Sequence, residues 1–277
     1  MITGRTRIAG VIGSPVRHSL SPLLMNSWIR AAGLDAAYIA LPANPGFSAA
    51  DLRALARSGL TGLNVTLPFK TLAAEIADEA DAGVGSTGAA NLLLFREDRI
   101  SARNTDIAGI NHALGQAGSG FRDARVLVLG AGGVARAVLA AARDGGARTI
   151  VLANRTRQKA DALAGNSPGL NVVNWADRQS AAEGADIIIN ATSLGMDGVT
   201  GPDIDFANCR KSAIAFDTVY TPRKRPFTET AKAAGLQTID GLAMLIGQAI
   251  PSFEALFNHA VPESVDAGRL LREALSS

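Results

Sequence analysis

The sequence predicts an α/β protein of two lobes, each built on a mostly parallel sheet. Three features carry that expectation. Strand-like and helix-like segments alternate along nearly the whole chain, the rhythm of βαβ units. Several strand segments are short continuous apolar runs, such as Val126-Leu127-Val128-Leu129 and Ile187-Ile188-Ile189. Such runs suit central parallel strands buried on both faces. The alternation also restarts near Ala124, and 277 residues are enough for two domains of ordinary size.

In the first lobe, strands are expected at residues 7–13, 36–42 and 62–68, followed by helices at 22–32, 49–58 and 71–80. A strand pair at 90–96 and 99–102, turning tightly at Glu97-Asp98, closes this half. A helix starting near Thr105 is expected to form the seam. The second lobe reads as strands at 126–129, 149–153, 171–175, 186–190 and 213–217, with alanine-rich helices between them. After Asp240 the pattern is purely helical, and Pro251 is expected to kink that helix or begin another. Residues 1–105, 106–240 and 241–277 are thus the expected divisions.

Composition narrows the function classes. Hydrophobic residues at 47% and charged residues at 19% exclude a disordered acidic or basic chain. No apolar run approaches the roughly 20 residues that span a bilayer, so no membrane partner is expected. The first residues carry charge without a long apolar block, so no secretory signal is read there. A single cysteine, Cys209, leaves no internal disulfide and fits a reducing cytoplasm. Three scattered histidines and one cysteine make no zinc cluster, and no metal is expected. A net charge of +2 without a dense basic block gives no nucleic-acid signature.

The sharpest single motif is Gly130-Ala131-Gly132-Gly133-Val134-Ala135, which follows an apolar strand and opens a helix. The first glycine permits a tight turn, the second lets backbone approach a pyrophosphate, and Ala135 allows close helix–strand packing. The helix N-terminus offers unpaired N–H groups and a positive dipole end to phosphate. A dinucleotide is therefore expected here. The next strand runs into Asn154-Arg155-Thr156, with Arg157 and Lys159 behind it, where an NAD-binding unit would place Asp or Glu. Cations without a carboxylate favour a 2′-phosphate, hence NADP over NAD; a solvated basic helix start is the plainer alternative.

Polar clusters mark the first lobe. Ser21 suits an N-cap with Pro22 as first helical residue, or Ser19 and Ser21 together hold a carboxylate at the helix start. In Asn64-Val65-Thr66-Leu67-Pro68-Phe69-Lys70, alternation puts Asn64 and Thr66 on one strand face at its carboxyl end. Lys70 follows at the turn, where a lysine is ordinarily a solvated charge. Asn91 closes Gly88-Ala89-Ala90-Asn91, and Asn104-Thr105-Asp106 opens the seam helix, where an Asp is ordinarily a cap or dipole partner. On the C-terminal helix, Gln248 leans away from the middle of the stripe formed by Leu242, Leu245, Ile246, Ala249, Ile250 and Phe253.

Together, in this order and spacing, these segments resemble the shikimate dehydrogenase family over nearly the full length. The resemblance runs from residues 10–22 through 64–70, 104–106, 130–133 and 154–156, then through 190–196, 217–220 and 244–248. It implies an N-terminal substrate-binding lobe, an NADP-binding Rossmann lobe, and C-terminal helices returning to the first. It implies reversible NADPH-dependent reduction of 3-dehydroshikimate to shikimate, a step towards chorismate and the aromatic amino acids. The family's catalytic lysine and aspartate fall on Lys70 and Asp106. The substrate carboxylate would be met by Ser19 and Ser21 with Tyr220 close by, and the ring hydroxyls by Asn64, Thr66, Asn91, Asp106 and Gln248. Cofactor contacts would come from Gly130, Ala131, Gly132, Gly133 and Val134 at the pyrophosphate. Asn154, Arg155, Thr156 and Lys159 would meet the 2′-phosphate, and Thr218, Gly241 and Met244 would lie near the nicotinamide. A sister enzyme acting on quinate, or a non-catalytic NADP-binding sensor, are the rival readings. A monomer or homodimer is expected. The chain departs from the family's usual pattern at Leu92, Ile107, Arg225 and Ala243, where threonine, glycine, threonine and glycine are common.

Overall fold

The computed structural model describes residues 2–44, 46–165, 169–196, 201–222 and 225–276. The chain folds as two compact units: Met1–Gly109 with Leu245–Ala274, and Ile110–Met244 with Leu275–Ser277. Each holds a six-stranded sheet. The crossings at Gly109–Ile110 and at Met244–Leu245 each fall inside a helix.

The first unit begins with β1 (Arg7–Gly13), α1 (Ser21–Ala31), β2 (Ala36–Pro42), α2 (Ala49–Leu55) and β3 (Gly62–Val65). The expected third strand ran to Pro68 but ends at Val65. Beyond it the backbone turns, with the Phe69 N–H returning to the Thr66 carbonyl, and Pro68 has no N–H to give a ladder. The expected helix over 71–80 is likewise shorter. It is α3 (Lys70–Glu75), after which β4 (Glu79–Ala80) pairs with β6 (Arg99–Arg103). A short helix that the sequence reading missed, α4 (Ala82–Thr87), follows. Asp81 caps it by accepting from the Val84 N–H, and Gly88 ends it in the left-handed region at φ 61°. β5 (Leu92–Arg96) and β6 then form the expected hairpin, whose turn residues Glu97 and Asp98 both take positive φ, 48° and 62°.

The order in this sheet is β2-β1-β3-β5-β6-β4. β1, β2 and β3 run parallel, and β5 is antiparallel to both β3 and β6. One face buries Ile12, Leu63, Val65, Leu93, Phe95 and Ile100 against Leu52, Phe69 and Ala73. From α10 (Gly241–Phe257), the Phe253 ring meets Trp28 of α1 edge-on at 5.5 Å. Pro251 neither begins a second helix nor ends α10, which continues through it. Buried Leu245, Ala249, Phe253, Leu256 and Phe257 flank the proline on both sides, and that packing outweighs one lost backbone bond.

The second unit carries on from α5 (Asp106–Gln116), which starts in the first. It contains β7 (Arg125–Leu129), α6 (Gly133–Asp144), β8 (Thr149–Ala153), α7 (Arg157–Ala164), β9 (Leu170–Val173) and α8 (Arg178–Glu183). β10 (Ile187–Asn190), β11 (Ile214–Asp217), α9 (Pro226–Ala233) and β12 (Gln237–Ile239) follow, and α11 (Ala267–Ala274) belongs to the first unit. The order β12-β11-β10-β7-β8-β9 is parallel throughout. In chain order it is the doubly wound 3-2-1-4-5-6 arrangement, with its switch point between β7 and β10. β12 was not foreseen, because Gln237-Thr238-Ile239 has no apolar run to signal it. β9 begins and ends earlier than the expected 171–175 because Trp175 enters a 3₁₀ turn.

Candidate active site

At the carboxyl end of β3 and the start of α3 and α5, the first unit buries a connected polar network. Lys70, expected as an ordinary solvated charge on local grounds, is only 7% exposed. Its Nζ lies 2.6 Å from Oδ2 of Asp106, which is 1% exposed. Two buried opposite charges at that distance satisfy one another where neither alone would be tolerated. The pair is held from several sides. The Ala90 N–H bonds the Lys70 carbonyl, and Asn104 Oδ1 accepts from the Asp106 N–H at 3.1 Å. Asn104 is fixed in turn by its amide, which donates to the Ala89 carbonyl and Thr87 Oγ1.

Asn91 is the hub. Its Nδ2 lies 2.9 Å from Asp106 Oδ1, Thr105 Oγ1 and Gln248 Oε1, and its Oδ1 accepts the Thr105 N–H at 2.7 Å. Asn64 donates to the Asn91 carbonyl and to Ser252 Oγ, and accepts from the Tyr38 hydroxyl at 2.7 Å. Burial pushes that hydroxyl well above the usual tyrosine range. Five of the expected residues, Lys70, Asp106, Asn91, Asn64 and Gln248, are thus joined by hydrogen bonds. Thr66 is half-buried beside them in sequence, its backbone N–H on the Ile12 carbonyl. Tyr38, Asn104, Thr105 and Ser252 were missed as site residues. Asn104 and Thr105 left a signal in the Asn104-Thr105-Asp106 segment, and Ser252 left one as a hydroxyl four residues after Gln248 in an otherwise apolar helix, whereas Tyr38 left none.

Ser19 and Ser21 meet at the start of α1, where Ser19 Oγ accepts the Ser21 N–H at 3.3 Å. The expected N-cap at Ser21 is corrected: Leu20 occupies the cap position, no side chain caps the helix, and Ser21 and Pro22 are its first two residues. Ser21's hydroxyl is therefore not spent on a cap.

In the second unit, Gly130 has φ 109°, and a Cβ there would meet the Ala191 carbonyl oxygen at 2.8 Å. The residue must be glycine because β7 and β10 run side by side into this turn. Gly132 precedes α6, and a Cβ on it would meet nothing within 4 Å, so space is open beside Gly133 and Val134 at the first turn. Ala131 is half-buried, and Ala135 is fully buried, as close helix–strand packing requires. Past β8, Asn154 bonds the Thr156 carbonyl, while Arg155, Thr156 and Lys159 are exposed. Arg157 is committed to Asp161 at 2.8 Å, but Arg155 and Lys159 have no acidic partner among the described residues. This set fits a dinucleotide bearing a 2′-phosphate.

The loops after β10 and β11 are tied together. The Asn190 carbonyl accepts both the Thr218 N–H and its hydroxyl, and Asn190 Nδ2 donates to Asp217. Asp217 also takes Arg225 Nε at 2.9 Å, and both side chains are buried. Burial pushes the Asp217 carboxyl up, against the opposing pull of the guanidinium. Arg225, one of the departures from the family pattern, is thus the counter-ion of a buried carboxylate. Gly241 lies so close to Thr218 that a Cβ would meet its carbonyl oxygen at 2.5 Å. Met244 is buried and Tyr220 half-buried in the same unit. Among the described residues no cluster of His, Cys, Asp and Glu could hold a metal ion, and no helix is long and apolar enough to cross a membrane.

Comparison with known proteins gives a consistent answer. Residues 11–93 match the shikimate dehydrogenase substrate binding domain, and residues 113–241 match shikimate / quinate 5-dehydrogenase. The shikimate dehydrogenase (NADP(+)) of Maricaulis maris (strain MCS10) is 44% identical, over 99% of this chain and 99% of its own. The crystal structure of shikimate dehydrogenase from Aquifex aeolicus superposes with a TM-score of 0.90 at 34% identity, covering 98% of this chain and all of that one. Shikimate 5-dehydrogenase from Thermus thermophilus, solved in complex with NADP(H) and shikimate, gives a TM-score of 0.85 at 33% identity, over 97% of this chain and 99% of that chain.

Proposed function

The chain belongs to the shikimate dehydrogenase family, and from that membership we propose that it interconverts 3-dehydroshikimate and shikimate with NADP(H). This places it in aromatic amino-acid biosynthesis. The observation that carries the reading is the buried Lys70–Asp106 pair inside a network of amides and hydroxyls. In this reading the first unit binds substrate and the second binds NADP.

Bound NADP(H) supplies or takes up the hydride at the substrate's C3. The protein's own work is to manage the proton at the attached oxygen. Lys70 has one ammonium hydrogen on Asp106, leaving two for the substrate. It donates a proton as the carbonyl oxygen gains charge, and accepts one in the oxidative direction. Asp106 holds the ammonium in place and takes Asn91 on its other oxygen. Ser19 and Ser21 offer hydroxyls to the substrate carboxylate, with Tyr220 as a third contact. Asn64, Thr66, Asn91 and Gln248 meet the ring hydroxyls. Gly130 to Val134 receive the pyrophosphate, Asn154, Arg155, Thr156 and Lys159 the 2′-phosphate, and Thr218, Gly241 and Met244 the nicotinamide side.

The deciding experiment mixes purified protein with shikimate and NADP+ and follows the absorbance of reduced nicotinamide. No increase would sink the proposal and favour a non-catalytic NADP-binding sensor. The second family description names quinate too, so kcat/KM for quinate is measured alongside; a higher value than for shikimate would make this the sister enzyme. Cys209 is a buried free thiol, in keeping with a cytoplasmic protein. A monomer or homodimer is the assembly proposed, which light scattering resolves.

A further inference from the structure

Hydrogen-bond polarity in the first unit can be traced atom by atom, because main-chain groups anchor it at two points. The Asn91 carbonyl can only accept, so the Asn64 atom 3.1 Å from it is Nδ2. The other Nδ2 hydrogen goes to Ser252 Oγ at 3.0 Å, and Oδ1 takes the Tyr38 hydroxyl at 2.7 Å. Asn64 therefore has no hydrogen left to give, and one lone pair on Oδ1 left to offer. At the second anchor, the Thr105 N–H can only donate, which fixes Asn91 Oδ1 against it. Asn91 Nδ2 gives one hydrogen to the Asp106 carboxylate and shares the other between Thr105 Oγ1 and Gln248, so the Gln248 atom 2.9 Å away is Oε1. Both hydrogens of Gln248 Nε2 have no protein acceptor among the described residues.

We infer that Tyr38 and Ser252 are positioning residues that make Asn64 an acceptor-only contact for a substrate hydroxyl, while Asn91 turns Gln248 to meet the substrate as a donor. Neither touches the reacting atoms. Tyr38 is 2% exposed and Ser252 fully buried. Burial keeps the Tyr38 hydroxyl protonated, and so a donor, throughout the ordinary pH range. Ser252 Oγ passes its own hydrogen to the Gln248 carbonyl at 2.9 Å, which leaves its lone pairs for Asn64. The consequence is chemical selectivity: an acceptor-only amide favours a ring carbon bearing O–H and repels a carbonyl oxygen there. This rests on the reading of Asn64 and Gln248 as substrate contacts.

The test compares wild type, Asn64→Ala, Tyr38→Phe and Ser252→Ala in shikimate oxidation with NADP+, using shikimate and analogues each lacking one ring hydroxyl. Loss of one hydrogen bond in Tyr38→Phe should raise KM for shikimate by roughly 2- to 12-fold, with kcat and KM for NADP+ held. The analogue lacking the hydroxyl that Asn64 meets should lose its disadvantage in Tyr38→Phe, as it does in Asn64→Ala. A general structural defect would raise KM for every analogue and for NADP+ alike, and would overturn the inference. So would an unchanged KM in Tyr38→Phe beside a raised one in Asn64→Ala. If Tyr38→Phe fails to fold, Ser252→Ala must show the same KM rise, and its absence is equally fatal. An unchanged KM in Asn64→Ala would instead remove Asn64 from the substrate contacts, while inactive wild type would remove the dehydrogenase reading itself.

Discussion

In the proposed mechanism Lys70 handles the proton, and its surroundings make the cost of losing it specific. Lys70→Ala removes the proton donor and leaves Asp106 as a buried charge without its partner. As a general acid/base its loss should lower kcat by roughly 10²–10⁴-fold with a much smaller change in shikimate affinity. Steady-state kinetics paired with shikimate binding by calorimetry reads both, and a variant that keeps most of its kcat removes Lys70 from the mechanism. In the second unit, Arg155 is exposed and without an acidic partner among the described residues, so it is free to meet phosphate. A hydrogen bond to a charged group contributes about 1.5–3 kcal/mol, so Arg155→Ala should weaken NADP by roughly 10- to 150-fold. NAD, which lacks the phosphate, should be affected far less. Equal losses in kcat/KM for the two cofactors would mean that Arg155 serves the fold or the adenine instead.

Helix starts divide between structure and function. At α2, Ser48 and Asp51 form a reciprocal capping box, so Ser48→Ala should cost about 0.5–2 kcal/mol of stability. At α1, no side chain caps the helix, so Ser21→Ala should leave stability nearly unchanged and raise KM for shikimate. Thermal melts and steady-state kinetics separate the two cases, and a large loss of stability in Ser21→Ala would return that serine to a structural role. The capping box also has a pH signature. Hydrogen bonds from the Ser48 hydroxyl and N–H hold the Asp51 carboxyl below its ordinary 3.8. A carboxyl lowered in the folded state stabilises the fold above its unfolded pKa, and that contribution is lost as pH falls through the lowered value. NMR titration of Ser48→Ala should therefore show the Asp51 pKa moving up towards the ordinary value. An unmoved titration would mean that the cap contributes nothing to that shift.

For the molecule as a whole, NADP binding is linked to folding. A ligand that binds only the native state stabilises it by about 2.7 kcal/mol at a hundredfold excess over Kd. NADP+ should therefore raise Tm, and hydrogen exchange should slow most at residues 130–134 and 154–156. Uniform protection along the chain, or none at those segments, would move the cofactor site elsewhere. The division of the chain into two α/β units was legible in advance because each parallel strand is a short apolar run bounded by turn residues, a local signal. The glycine turn was legible for the same reason: strand, Gly130 and helix are contiguous. β4 and β12, with two and three residues, were not, since pairing alone defines them and pairing is non-local. By itself, then, the sequence determined the strand–helix rhythm, the glycine turn and the identity of the polar segments. Tertiary structure decided that Lys70 is buried rather than solvated, that Arg225 neutralises Asp217, and that Tyr38 and Ser252 join the site. The reason is physical: a side chain's charge partner and the polarity of its hydrogen bonds depend on neighbours from other elements, 8 residues away for Arg225–Asp217, 36 for Lys70–Asp106 and 188 for Asn64–Ser252.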